Sequence, residues 1–224
     1  MPRVIALLLT AMSMGNAVAA SAQERPFEEL PVTIRIHDYA HVSNGSLSRA
    51  TRLVSEVYQR IGVRTTWMDT VRFGEKKANA ERSTPGNQIA QITILVVTQK
   101  MASRGQMGPD VLGFAAVSTE GMGRIAYVVY DRVRDTALAA GMSADDVLAF
   151  VLVHDIARLL LPTDLALPSA AMKSQWTIAE FAHVDIRKMT FSSLQASLMR
   201  TTIENDYPSF AARAARVGSG QPTN

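Results

Sequence analysis

The sequence has 224 residues, 47% of them apolar, which suits one domain of ordinary size with a proper core. It contains no cysteine, so disulfides, thiolate metal sites, a cysteine nucleophile and a lipid-modified cysteine are excluded. Lys and Arg total 23 against 20 Asp and Glu, a formal net charge of +3. The basic residues are scattered and no basic cluster is interleaved with aromatics, so nothing points to nucleic acid as a partner.

Arg3 gives a short basic start, Val4 to Ala11 is apolar, and small residues follow at Ala17-Val18-Ala19 and Ala20-Ser21-Ala22. The apolar run is too short for a bilayer span, which needs about 20 residues. The three-part pattern predicts a signal peptide over residues 1–22, cleaved near Ala19 or Ala22, and export to a bacterial periplasm or the medium. Losing Arg3 takes the basic count from 23 to 22 against the same 20 acidic residues, a net of +2. No integral membrane segment is expected in the mature chain. Residues 23–30 read as a flexible leader, 31–205 as a single domain and 206–224 as a flexible tail.

Val32 to His37 alternates apolar and polar, the period of a half-buried strand. A helix follows, with Ser46 or Ser48 as its cap. Leu47, Ala50, Leu53, Val54, Val57, Tyr58 and Ile61 form its apolar stripe, and Gly62 is its stop. Val63 to Met68 reads as a second strand, and a strand–helix–strand unit this short predicts a parallel pair with its crossover on one face. Residues 69–90 are polar and rich in breakers and read as a loop.

Gln91 to Thr98 is the strongest strand, and a loop with Gly105, Gly108 and Pro109 follows it. Gly113 to Ser118 and Ile125 to Tyr130 then read as strands that form a hairpin. From Ser143 the chain turns helical. Ser143-Ala144-Asp145-Asp146 matches a capping box, and the helix runs to about Leu161 before Pro162. Weaker helices are predicted over 177–188 and 191–204. Strands first and helices last give an α+β domain with a mixed sheet, an N-terminal strand–helix–strand unit, a central buried helix and C-terminal helices.

The helix from 143 to 161 is apolar nearly all round, yet carries His154, Asp155 and Arg158. His154 and Arg158 lie four apart on one face, and Asp155 lies three before Arg158, within ion-pair reach. Uncompensated buried charge costs several kcal/mol or is neutralised by a pKa shift, so the sequence predicts a partner for each. A plainer alternative is a polar stripe on a surface helix.

The segment from His154 to Pro162, HDIARLLLP, resembles the helix of exported bacterial metzincin-like zinc peptidases, which reads H-E-I-G-H-L-L-L. Beyond it that family has a histidine-serine pair, a G-I-M turn and then a tryptophan, and in the segment 166–176 here Pro168, Met172 and Trp176 fall where that pattern would place them. The strand–helix–strand start and Ala126 to Val133 (AYVVYDRV) are similar to the same family, so the resemblance covers most of the mature chain. It implies a zincin-type fold with His154-to-Arg158 as the active-site helix.

The departures fall on the chemistry. A zinc peptidase needs imidazoles at i and i+4, a third ligand and a glutamate base. Arg158 occupies the second ligand's position and stays protonated, with no lone pair to give. The third position, aligned through Met172, is Ala166, and the base is shortened to Asp155. The resemblance therefore implies a remnant site of His154, Asp155, Arg158 and Met172, with no catalytic residue, no metal ligand and no cofactor expected. His154 is the only ligand position retained. Arg158 is expected to stand in for the metal's charge, Asp155 to neutralise it, and His154 to hydrogen-bond nearby.

Rescue by other residues has few candidates. His183 and Asp164 could approach, whereas His37 and His41 flank the end of the first strand and read as surface residues. Met172 also fits ordinary core filling. No serine elbow and no phosphate-cradling glycine loop is present. Three functions follow. One is an exported, catalytically silent metallopeptidase-like protein that binds a peptide or protein, for which the family's strand edge offers β-augmentation. The others are an active zinc peptidase with a divergent site and a structural envelope protein. The partner's identity and the oligomeric state are not legible.

Overall fold

The computed structural model describes residues 29–69, 90–117, 124–161, 172 and 176–205. The proposed signal peptide, the loop after the second strand, the hairpin turn and the tail fall outside these residues. Five strands form one mixed sheet: β1 (Leu30–Asp38), β2 (Val63–Asp69), β3 (Ala90–Val97), β4 (Gly113–Val117) and β5 (Arg124–Val129). Their order is β2-β1-β3-β5-β4. β1 pairs in parallel with β2 (Leu30↔Val63) and with β3 (Val32↔Ala90), and β3 pairs in parallel with β5. β4 is antiparallel to β5, as the expected hairpin requires. β1 begins at Leu30, one residue inside the segment read as leader.

One face of the sheet holds the core. Val32, Ile34 and Ile36 of β1, Ile92, Ile94 and Val96 of β3, and Ala126 and Val128 of β5 are all buried at alternate positions. Helix α1 (Asn44–Gln59) is the crossover between β1 and β2, and it buries Leu47, Ala50, Leu53, Val54, Val57 and Tyr58, the predicted stripe without Ile61, which lies past the helix end and is half-buried. Its cap is Ser43, not Ser46 or Ser48: Ser43 Oγ accepts from the Ser46 amide at 3.2 Å. That cap lets Asn44 and Gly45, both poor helix formers, start the helix earlier than the apolar stripe indicates. Gly62 follows the helix end with φ at 71°, a conformation glycine reaches without steric cost.

Helices are interleaved with the strands rather than gathered at the end. A short helix α2 (Gln99–Arg104) stands where a loop was expected, capped by the Thr98 hydroxyl. Helix α3 (Tyr130–Ala140) follows β5 directly and stops at Gly141, whose φ of 66° ends it in the left-handed conformation. Helix α4 (Ala144–Leu160) is the expected central element. Ser143 Oγ accepts from the Asp146 amide at 3.1 Å, and Asp145 and Asp146 meet Arg49 of α1 at 3.6 and 3.3 Å. It lies against α1, α3, β4 and β5.

The C-terminal part is more broken than the sequence predicts. Thr177 and Glu180 form a reciprocal capping box on the four-residue α5 (Ile178–Phe181), and a 3-10 turn follows at Ile186–Lys188. The Asp185 carboxylate accepts from the Arg187 amide, which starts that turn anew and splits the expected 177–188 helix. Helix α6 (Ser193–Asn205) closes the described chain and is tethered to the sheet by Arg200, which donates to the Gly62 carbonyl at 2.8 Å. No helix among the described residues is long and apolar enough to cross a membrane.

Candidate functional site

Helix α4 is buried along nearly its whole length, from Val147 to Val153 and again at Ile156, Ala157, Leu159 and Leu160. That burial rules out a polar stripe on a surface helix. The three ionisable residues at its C-terminal half separate by depth: Asp155 is 2% exposed, His154 is partly buried and Arg158 is exposed. Three residues on, the backbone has turned enough to carry the long guanidinium to water, which Asp155 cannot reach.

Asp155 points instead beneath β4. A Cβ built on Gly113 would lie 2.1 Å from Asp155 Oδ2 and 2.7 Å from Val151 Cγ1, so only glycine lets the strand sit this close. Oδ2 is buried and has no hydrogen-bond partner. Burial pushes the carboxyl up to about 8, and the positive charge of Arg158 offsets only part of that rise. At neutral pH the acid is therefore largely protonated. The expected ion-pair network is corrected accordingly: Arg158 acts on Asp155 through its field alone, and desolvation is met by retaining a proton rather than by pairing.

Tyr58 reinforces this. It is fully buried on α1, meets Phe191 in a tilted ring contact at 5.4 Å and donates its hydroxyl to the Val153 carbonyl at 2.9 Å. Burial raises its pKa well above the ordinary value, and the nearby Asp155 carboxyl raises it further. Tyr58 and Asp155 thus keep the inner side of α4 uncharged.

The other expected residues are scattered. Met172 is partly buried and packs on the main core, as core filling would. Trp176 meets Phe150 of α4 edge-on at 4.5 Å and Phe181 at 5.6 Å, so it fastens the segment after α4 by aromatic packing. Ala166, Asp164 and Pro168 lie outside the described residues. His37 is half-buried and stacks on Tyr39 at 6.4 Å, while His41 and His183 are exposed. No group of three or more His, Asp or Glu side chains among the described residues could hold a metal.

Tested against zinc, the donor set of α4 does not fit. His154 can give one electron pair, Arg158 gives none, and Asp155 is turned under the edge strand. A base serving a metal-bound water would also need an ionised carboxylate facing that water.

Two contributors escaped sequence reasoning. Gly113 looked like a strand start, and its role is visible only once α4 is laid against β4. Arg132 of α3 is buried and holds the loop ahead of β4; a lone arginine in YDRV carries no signal that it will be inside. Neither a protein-family model nor a curated protein matches this chain.

Proposed function

We propose that this chain is an exported, catalytically silent relative of metzincin-like zinc peptidases that keeps a binding role. The observation that carries the reading is the state of Asp155: buried under β4, with Gly113 pressed against Oδ2 and its carboxyl raised to about 8. An acid so placed is a packing group, not a base. The loss of donors at Arg158 and Ala166 supports the same reading from the sequence.

The ligand would be a peptide or protein segment taken along β4. Strand addition suits that position because β4 ends the sheet among the described residues and its Phe114 is 52% exposed. Backbone groups on an edge supply affinity, and an exposed aromatic ring supplies a side-chain contact.

Elemental analysis of the purified mature protein beside a broad peptide-cleavage assay tests the silent site. No stoichiometric zinc and no cleavage are expected from the natural chain. Arg158→His, Asp155→Glu and Ala166→His together should give zinc uptake approaching one ion per chain. Stoichiometric zinc in the natural chain, lost on His154→Ala, would establish a divergent but working metal site instead.

A further inference from the structure

The stretch from Thr98 to the end of β4 is fastened to the domain differently from the rest of the sheet. α2 does not join the main core; its Ala102 packs with Val97 and Val129 in a small separate apolar cluster. β4 pairs only with β5 among the described residues. The loop between α2 and β4 is held by Arg132, which is 8% exposed, by the Val129 amide donating to the Leu112 carbonyl at 2.8 Å, and by packing of Met107 and Leu112. Its Nη1 donates to the carbonyls of Gly108 and Val111, and its Nε donates to Gln99 Oε1 at 2.6 Å. Next to it, Asp131 accepts from the Gln99 amide at 2.7 Å.

The start of α3 therefore grips both ends of one short segment. Between the grips, Gln106 is bent to a φ of 56° beside Gly105. Beneath the far end lies Asp155, covered by Gly113. Releasing this segment would break one ladder and a small cluster and would lift Leu112 and Ala115 from the rim of the main core, while the buried side chains of β1, β3 and α1 keep their partners, the pattern of a local opening.

We propose that residues 98–117 form a hinged cover over the polar side of α4, latched shut by Arg132, and that opening it exposes Asp155. The latch is a buried guanidinium whose charge-assisted hydrogen bonds reach the Val111 carbonyl, the Gly108 carbonyl (which also accepts from the Val111 amide at 3.3 Å) and one amide oxygen. Its role concerns access to α4 and holds for a binding protein and an enzyme alike.

Hydrogen exchange read by mass spectrometry on the full chain tests the latch. In the natural protein, peptides covering 111–117 should exchange at least roughly tenfold faster than those covering 32–36 and 92–96. Arg132→Met should speed exchange across 99–117 by a further factor of about ten or more, with 32–36 and 92–96 changed by less than about threefold. Gln99→Ala, which removes a single acceptor, should give a smaller increase confined to the same segment, and it decides the matter if Arg132→Met does not fold. Exchange in 111–117 as slow as in β1 and β3, or variants that quicken every strand or none, would overturn the proposal.

Discussion

Replacing Asp155 with asparagine keeps the side chain's shape beneath β4 and removes its ionisable proton. In the natural chain the folded carboxyl titrates near 8, against an ordinary value of 3.8 in the unfolded chain. Between those limits the native state holds a proton that the unfolded state has lost. Stability from this group is therefore full below about pH 4, falls as pH rises and levels off above about pH 8. With Asp155 2% exposed, solvent screening takes little from the effect. The slope approaches about 1.4 kcal/mol per pH unit, or roughly 3 kcal/mol between pH 5 and pH 7. Urea unfolding of both proteins at pH 5, 6, 7, 8 and 9 reads it, because the difference between them cancels every other titrating group. The asparagine variant should gain on the natural chain by that amount across pH 5 to 7 and stay level above pH 8. A difference independent of pH would show that Asp155 is ionised in the fold and that the uncharged inner side of α4 is wrong.

Gly113→Ala puts a methyl group into Asp155 Oδ2 and Val151 Cγ1, and should lower stability by about 1–3 kcal/mol in thermal or denaturant unfolding. Asp155→Ala in the same chain should recover part of that loss, and strictly additive effects would place the clash elsewhere. Tyr58→Phe removes a buried donor from the Val153 carbonyl, which keeps its bond within the helix, at a cost of roughly 0.5–1.5 kcal/mol. In a spectrophotometric alkaline titration of the native protein, the same variant should delete a phenol that ionises later than the rest, and loss of an ordinary tyrosine signal would contradict its burial.

What could be read in the sequence was what periodicity encodes. The stripe of α1 and the alternation in β1 and β3 appear in the fold because each element buries one face against a single core. The all-round apolar character of α4 correctly placed it in the interior. Caps and short helices were harder. Ser43 wins over Ser46 because the geometry of the chain leaving β1, not the apolar stripe, sets where the helix begins. α2 and α3 have short or weak stripes, and α2 is held by tertiary bonds from Asp131 and Arg132 that no local pattern carries. At the site, the residues were visible and their arrangement was not. Spacing three apart on a helix permits an Asp155–Arg158 pair, but which way a short acid turns depends on the strand above it, and that strand lies some forty residues earlier in the chain.

The placement of β1 between β2 and β3 has a consequence for how the chain assembles. An interior strand is thus made before its neighbours, and one of them, starting at Ala90, emerges long after it. A fragment ending at Asp69 would hold β1 with only one flank satisfied, without the α6 helix that packs against it and without the α4 surface that packs on its crossover helix. Such a piece has no independent reason to settle, so acquisition of structure should be late, cooperative and slow relative to proteins built from neighbouring hairpins.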